Sequence, residues 1–122
     1  MPIIQIQQIS DSAPPNHQVI KDIADQLANL WQLPKGKVWV SYQTIPVEQY
    51  AECGTELAET PRPIFVQVIR SKTPEESTLA KEVPTITDLV AQALQHPRER
   101  VHVLFDSSAA GRIAFGGKFV AS

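Results

Sequence analysis

The order of elements in the first half of this 122-residue chain recurs in the second half. Each half reads as a strand, a helix, a second strand and a glycine-containing hairpin. Val38 and Val101 lie in corresponding strands, and Gly54 and Gly117 lie in corresponding hairpins; both offsets are 63 residues (101 − 38 = 117 − 54 = 63). Self-similarity over this length predicts a duplicated supersecondary unit, which limits the possible folds more than any other feature.

The first unit has clear signals for its strands and helix. Strands are predicted at 3–9 and 37–45, where apolar and polar residues alternate over part of each run. Between them, apolar residues recur at helical spacing from Val19 to Trp31, and Leu33-Pro34 ends the helix. Pro46 to Gly54 is predicted to be a hairpin or loop excursion.

The second unit follows the proline break at 61–63. Strands are predicted at 64–70 and 100–105, followed by a tail with short strand character. Thr73-Pro74-Glu75-Glu76 is a helix start in which Thr73 is the predicted cap. Pro84 lies within the apolar stripe of this helix and is expected to kink or split it, since proline lacks a backbone donor.

These elements predict a single α+β (α/β) domain over 1–122, made of pseudo-repeats 1–60 and 61–122. Each unit is expected to be a right-handed parallel crossover, which gives a four-stranded mixed sheet with both helices on one face. The alternation places Trp39, Leu104 and part of the third strand on the other face. An apolar face of this kind predicts self-association.

The composition excludes several classes of protein. The net charge is −2 and no long basic run occurs, so neither a nucleic acid nor a membrane is an expected partner. The single cysteine, Cys53, cannot form an internal disulfide and suits a reducing cytoplasm, where we expect the protein to be located. His and Cys residues show no metal-ligand spacing and there is no second thiol, so neither metal nor redox chemistry is expected.

The sequence begins Met1-Pro2-Ile3-Ile4, and a small second residue such as proline permits removal of the initiator Met. Pro2 would then carry a secondary amine at the start of a strand. An α-amino group titrates near pH 8, within reach of acid–base work at neutral pH. The alternative is that Pro2 simply opens an edge strand, where its missing N–H costs nothing.

With these residues in place, the chain resembles the tautomerase superfamily over nearly its whole length. The first half is similar to 4-oxalocrotonate tautomerase in Pro2-Ile3-Ile4-Gln5-Ile6, Val38-Trp39-Val40 and Gly54-Thr55-Glu56-Leu57-Ala58. The doubled length, with Arg100-Val101-His102-Val103 and the tail, is similar to macrophage migration inhibitory factor and fused bacterial members. Pro74-Glu75-Glu76 is similar to malonate semialdehyde decarboxylase.

The resemblance implies a cofactor-free enzyme, active as a homotrimer, that uses the Pro2 amine in a pocket near a subunit border. It also implies that Pro63 is a relic of the same proline in the second unit, where it is an amide. Arg70 and Lys72 follow the third strand in a region where several bacterial relatives place two arginines that hold a substrate carboxylate. An arginine fork binds a carboxylate bidentately, and lysine adds a point charge.

The chain departs from its relatives at several positions. Asp11-Ser12-Ala13 and Trp39 stand where 4-oxalocrotonate tautomerase has arginines, although Tyr50 keeps an aromatic residue in the hairpin. Lys37 stands where the decarboxylase has an aspartate, which disfavours decarboxylation by that route. Arg112-Ile113-Ala114-Phe115 lacks the carboxylate that a dehalogenase relative uses to activate water.

We therefore predict a tautomerase that interconverts the enol and keto forms of a small 2-oxo acid. Pro2 and Arg70 are the expected catalytic residues. Residues expected to line or bind substrate are Lys72, Lys37, Trp39, Tyr50 and His102, although for Lys37 a solvated surface residue and for His102 a structural role are the stronger interpretations. The alternatives are a decarboxylase or hydratase in which protonated Pro2 is the acid, and a trimeric binding protein without catalysis.

Overall fold

The computed structural model of the chain describes residues 1–54 and 61–122. The Thr55–Ala58 part of the sequence resemblance lies outside these ranges. The helices and strands are β1 (Ile3–Ile9), α1 (His17–Trp31), β2 (Trp39–Ile45), β3 (Ile64–Ile69), α2 (Glu76–Ala93), β4 (Val101–Phe105), β5 (Ile113–Phe115) and β6 (Lys118–Val120). Short 3₁₀ turns at Val47–Gln49 and Arg98–Arg100 complete the regular structure of the described residues.

The four long strands form one mixed sheet in the order β2-β1-β3-β4. β1 and β2 are parallel, β3 and β4 are parallel, and the two pairs meet through the antiparallel β1–β3 contact. α1 connects the first parallel pair and α2 connects the second. The predicted duplicated β-α-β fold, with its mixed four-stranded sheet, is confirmed; β5 and β6 form a separate antiparallel hairpin in the tail.

Alternation along the strands decides which side chains meet the helices. Ile4 and Ile6 of β1 are buried, whereas Gln5 and Gln7, which alternate with them, are exposed. The core shared by the sheet and both helices contains Ile4, Ile6, Ile23, Leu27, Val38, Ile64, Val66, Val68, Ile86, Leu89, Val90, Ala91 and Val101. Because residues of both helices join this one cluster, α1 and α2 cover the same face, as the right-handed crossovers predicted.

The opposite, open face of the sheet carries large apolar side chains. Trp39, Phe65 and Leu104 are 43%, 38% and 61% exposed, respectively. This confirms the predicted placement of Trp39 and Leu104 on the face away from the helices. Within residues 1–54 and 61–122, none of the helices combines the length and the apolar character needed to span a membrane.

The strand register corrects the predicted equivalence of Pro2 and Pro63. Ile64 pairs with Val101, and the β1–β2 register, continued by one residue, pairs Pro2 with Val38. Since Val38 and Val101 are equivalent in the repeat, the residue equivalent to Pro2 is Ile64, and Pro63 precedes it. The burial pattern agrees with this equivalence. Counted from Pro2 in the first unit and from Ile64 in the second, every second residue is buried over the next five positions.

Two expectations about α2 are also revised. The helix begins at Glu76 with Glu75 as its N-terminal cap residue, so the prediction of Thr73 as the cap is wrong. Thr73 instead anchors the tail: its Oγ1 donates to the Asp106 carbonyl at 2.6 Å, and its N–H donates to Ser108 Oγ at 2.8 Å. Pro84 does not split α2, which runs as one helix through it.

Candidate active site

Pro2 is buried at the entry to β1, where its carbonyl accepts a hydrogen bond from the Trp39 N–H at 3.1 Å. Ile3 lies opposite Ile69 in the antiparallel register, so the next pair along is Pro2 and Arg70. Opposite residues of antiparallel strands project to the same face, with Cβ atoms roughly 5 Å apart. Pro2 and Arg70, the two predicted catalytic residues, are therefore neighbours on the helix side of the sheet.

The Arg70 guanidinium is enclosed by side chains from three other elements. Its Nη1 donates to Glu82 Oε2 at 3.1 Å, and its Nη2 lies 3.0 Å from Glu82 Oε1. Its Cζ lies 5.0 Å from the ring centre of Trp31 and 5.6 Å from that of Phe105, which are cation–π distances. Both charged side chains are only 11% exposed, so the pair is largely shielded from water.

This arrangement changes what Arg70 can do. Glu82 already faces the terminal nitrogens that a substrate carboxylate would need for bidentate binding. Separating a shielded ion pair leaves an uncompensated charge, which is costly. Pro2 thus lies beside an Arg70–Glu82 ion pair that has no net charge, whereas the sequence alone predicted an unpaired cation.

Glu82, Trp31 and Phe105 are the residues of this site that sequence reasoning missed. Glu82 follows Leu79 by three residues and precedes Ile86 by four, so helical spacing places it on the apolar side of α2. A carboxylate on that side needs a cationic partner, and this signal could have identified it. Among the residues described, Trp31 Nε1 is buried without a hydrogen-bond acceptor.

Two further predicted cations lie near the same end of the sheet. Lys37 directly precedes Val38, which the register places beside Pro2, and Lys72 follows Arg70 by two residues. Both lysines are exposed. The tail crosses this end as well, because the Ala109 N–H donates to the Arg70 carbonyl at 3.0 Å.

Trp39 lies at the Pro2 end but on the open face of the sheet. Its indole N–H donates to the Gly36 carbonyl at 3.0 Å, and its ring meets Phe115 of β5 edge-to-face, with centres 5.6 Å apart. The backbone of Trp39 thus contacts Pro2, whereas its side chain does not share the face on which Pro2 and Arg70 lie.

Tyr50 and His102 lie toward the opposite end of the sheet. Both neighbour Phe65, which pairs with Gln7, five residues along β1 from Pro2 or roughly 17 Å. Their rings flank Phe65, with centre distances of 6.2 Å for Tyr50 and 5.8 Å for His102. The structure therefore does not bring these two predicted residues to Pro2 within one chain.

Two charged side chains, Glu52 and Arg100, lie beside Tyr50 at that end of the sheet. The Tyr50 hydroxyl donates to Glu52 Oε2 at 2.7 Å, and Arg100 Nη2 pairs with the same oxygen. The hydrogen bond from Tyr50, followed by that from Arg100, lowers the pKa of the Glu52 carboxyl. Desolvation, followed by the hydrogen bond to Glu52, raises the pKa of the Tyr50 phenol, which therefore stays protonated at neutral pH.

The open face also contains a concavity of about 300 Å³. Its lining residues include Gln5, Gln7, Phe65, Gln67, His102 and Leu104. Within the described ranges, no group of three or more His, Cys, Asp or Glu side chains is arranged to hold a metal ion.

Comparison with known proteins gives a clear result at the level of fold. No family model and no curated protein sequence matches the chain. Among solved structures, a fused 4-OT described as a symmetric trimer superposes with a TM-score of 0.78 at 13% identity, covering 98% of this chain and 95% of that one.

Two other solved structures agree with it. Pt0534 inactivated by 2-oxo-3-pentynoate has a TM-score of 0.78 at 15% identity, covering 98% of this chain and 96% of that one. The macrophage migration inhibitory factor of Trichinella spiralis has a TM-score of 0.73 at 15% identity, covering 95% and 97%, respectively. The chain therefore shares its fold with the solved fused 4-OT, Pt0534 and macrophage migration inhibitory factor structures, and its two β-α-β units lie in one polypeptide.

Proposed function

We propose that this chain is a cofactor-independent tautomerase that converts the enol form of a small 2-oxo acid to its keto form. The observation that carries the proposal is the position of Pro2, which is buried at the entry to β1 beside the Arg70–Glu82 pair. It is supported by the fold, which the chain shares with fused 4-OT and Pt0534 structures. We place the reaction in the cytoplasm, because Cys53 is a free thiol.

Pro2 acts in this proposal as the free secondary amine. While Met1 is attached, the Pro2 nitrogen is a tertiary amide without basicity, so removal of Met1 precedes activity. The amine nitrogen takes the proton from the enol oxygen, and the resulting ammonium returns a proton to the substrate carbon. The negative charge that develops on the enolate oxygen is stabilised by Lys72 and Lys37 at the rim and by Arg70, whose contribution is reduced by its pairing with Glu82.

A base must be unprotonated at the working pH, and burial favours this at Pro2. Removing an amine from water lowers its pKa, because desolvation disfavours the charged form. Arg70 would lower it further, but Glu82 offsets that contribution. The lysines remain available for the substrate carboxylate, since Lys37 and Lys72 are both exposed.

The Arg70–Glu82 pair also favours a second candidate function. An amine beside a neutral pair keeps more of its ordinary basicity, and a protonated Pro2 is the acid that a decarboxylase or hydratase of an unsaturated or oxo acid requires. A Pro2 amine titrating above about pH 8 in the folded protein would select this reaction class over tautomerisation.

A third candidate is a binding protein of the same fold without catalysis. The observation in its favour is that Trp39 and Arg70 are both committed elsewhere, Trp39 to Phe115 and Arg70 to Glu82. This candidate predicts that small carboxylates bind without turnover.

The deciding experiment uses protein shown by mass spectrometry to begin at Pro2. Tautomerisation of phenylenolpyruvate is followed for this protein, for Pro2→Ala and for protein that retains Met1. We expect activity only in the first, together with a covalent adduct when 2-oxo-3-pentynoate is added. Equal activity in Pro2→Ala would refute the role of Pro2. No activity in any sample would refute the tautomerase and leave the second and third candidates, which the titration of the Pro2 amine distinguishes.

We further propose that the active assembly is a homotrimer with its sites at subunit borders. The open face, with Trp39, Phe65 and Leu104, supplies apolar surface for association. A neighbouring subunit is also the source from which Tyr50 and His102 could reach Pro2, because they lie at the far end of the sheet in one chain. Two solved fused 4-OT structures are described as an asymmetric and a symmetric trimer, respectively.

A further inference from the structure

The shielded carboxylate of Glu82 does not contact the substrate in the reaction proposed above, but it is paired with Arg70, which lies opposite Pro2. Glu82 is 11% exposed in its side chain, and its two oxygens face both terminal nitrogens of Arg70 at 3.0 and 3.1 Å. Arg70 in turn lies opposite Pro2 across the β1–β3 contact. One ion pair therefore connects α2 to the residue that follows β3, opposite the start of β1.

We propose that Glu82 is a positioning residue that sets the electrostatic environment of the Pro2 amine by neutralising Arg70 and holding its guanidinium between Trp31 and Phe105. The inference deepens the proposed function and rests on Pro2 being a free amine. With Glu82 in place, the Arg70–Glu82 pair has no net charge and tolerates a protonated Pro2 amine. Without Glu82, the site would be strongly cationic and would disfavour the protonated amine.

The geometry explains why Glu82, and no other acidic residue of α2, has this effect. Glu75 and Glu76 lie at the exposed beginning of the helix, and Asp88 pairs with Arg98 on the surface. Exposed charges are screened by water and salt, whereas a charge in a shielded pair acts on its neighbours in a medium of low dielectric constant.

The charged groups around Pro2 come from several elements. β3 presents Arg70 and α2 presents Glu82, while α1 presents the uncharged Trp31. Lys37 precedes β2 and Lys72 follows β3, and both are exposed to solvent. Removing the carboxylate of Glu82 thus leaves only cations among these neighbours.

The test titrates the Pro2 amine directly, by nuclear magnetic resonance of protein labelled at proline and processed to begin at Pro2. Four proteins are compared: wild type, Glu82→Gln, Arg70→Gln and the double variant. Glu82→Gln leaves a net positive charge, and we expect the midpoint of the amine to fall by about one pH unit. Arg70→Gln leaves a net negative charge and should raise the midpoint.

The double variant distinguishes electrostatics from packing. It removes both charges while keeping the side chains similar in size, so its midpoint should return close to that of wild type. If Arg70→Gln does not fold, the comparison of Glu82→Gln with the double variant still decides, because only the former carries an unpaired cation. Glu76→Gln is the matched control on the same helix and should leave the midpoint in place.

Coinciding midpoints for Glu82→Gln, the double variant and wild type would overturn the inference. So would an equal shift in Glu76→Gln, which would show an effect of total charge alone. The titration needs no turnover, so its outcome is separate from that of the proposed function. A protein that shows the shifts but does not tautomerise phenylenolpyruvate would refute the activity and leave the role of Glu82 standing.

Discussion

Gln32 and Gln95 adopt the same left-handed backbone conformation at the ends of the two helices, with φ of 52° and 51°. They are 63 residues apart (95 − 32 = 63), the same offset that relates Val38 to Val101. The hydrogen bonds match as well: Leu33 N–H donates to the Ala28 carbonyl at 2.9 Å, and His96 N–H donates to the carbonyl of Ala91 at 2.9 Å. Both helices end in a Schellman motif.

Replacing Gln32 or Gln95 with glycine should stabilise the fold. A left-handed conformation strains a residue with a Cβ, and glycine relieves this strain at a helix end. We expect each substitution to add about 0.5–1 kcal/mol to the free energy of unfolding, measured by urea denaturation at one protein concentration. Gln43→Gly, in the extended backbone of β2, is the control and should lower stability. A loss of stability at Gln32 and Gln95 would contradict the strain argument.

Leu104→Glu should break self-association without unfolding the chain. Leu104 is 61% exposed on the open face, so a charge there is solvated in an isolated chain and buried in an assembly. Light scattering of wild type should give about three times the chain mass of 13.5 kDa, and that of the variant should give one.

Gln26→Glu, on the exposed side of α1, is the control for the added charge and should leave the mass unchanged. A wild type that stays monomeric at micromolar concentration would contradict both the trimer and the shared site.

Tyr50→Phe should raise the pKa of the Glu52 carboxyl toward its ordinary value. The Tyr50 hydroxyl is the main cause of the lowered pKa, followed by Arg100. A carboxyl with a lowered pKa in the folded state stabilises the fold above its unfolded pKa, and this contribution is lost as the pH falls through the folded value. Wild type and variant should therefore converge in stability at acid pH. Carboxyl titration by nuclear magnetic resonance measures the shift, and Tyr42→Phe is the control.

Thr73→Val should weaken the attachment of the tail and leave α2 intact. The substitution removes the hydrogen bond to the Asp106 carbonyl, which is worth about 1 kcal/mol of stability. Because Glu75 is the cap residue, the helical circular dichroism signal should not change. Thr85→Val, the same chemical change at an exposed site of α2, is the control. A loss of helical signal in Thr73→Val would show that Thr73 acts as the helix cap.

The sequence by itself determined most of the fold. The duplicated order, the apolar periodicities of α1 and α2 and the alternation along β4 follow from local geometry, because a helix and a strand each expose a fixed period of side chains. These patterns predicted one apolar face for the helices and the exposed positions of Trp39 and Leu104, and the structure agrees.

Local patterns failed where the answer depended on two distant segments. The equivalence of Pro2 with Pro63 was off by one residue, because matching residue types cannot reveal strand register, whereas the pairing of Ile64 with Val101 does. Thr73 had the sequence of a helix cap, but its hydroxyl bonds to the tail at Asp106, a partner that only tertiary contact supplies.

The candidate site shows the same division. Sequence alone singled out Pro2 and Arg70, and their adjacency follows from the antiparallel β1–β3 register. That Glu82 pairs with Arg70 was decided by how α2 packs across the end of β3, a contact between residues twelve apart in the chain. Periodicity shows which side of a helix is buried, but the partner of a shielded charge is fixed by where that side meets the rest of the fold, and only the tertiary structure determines this.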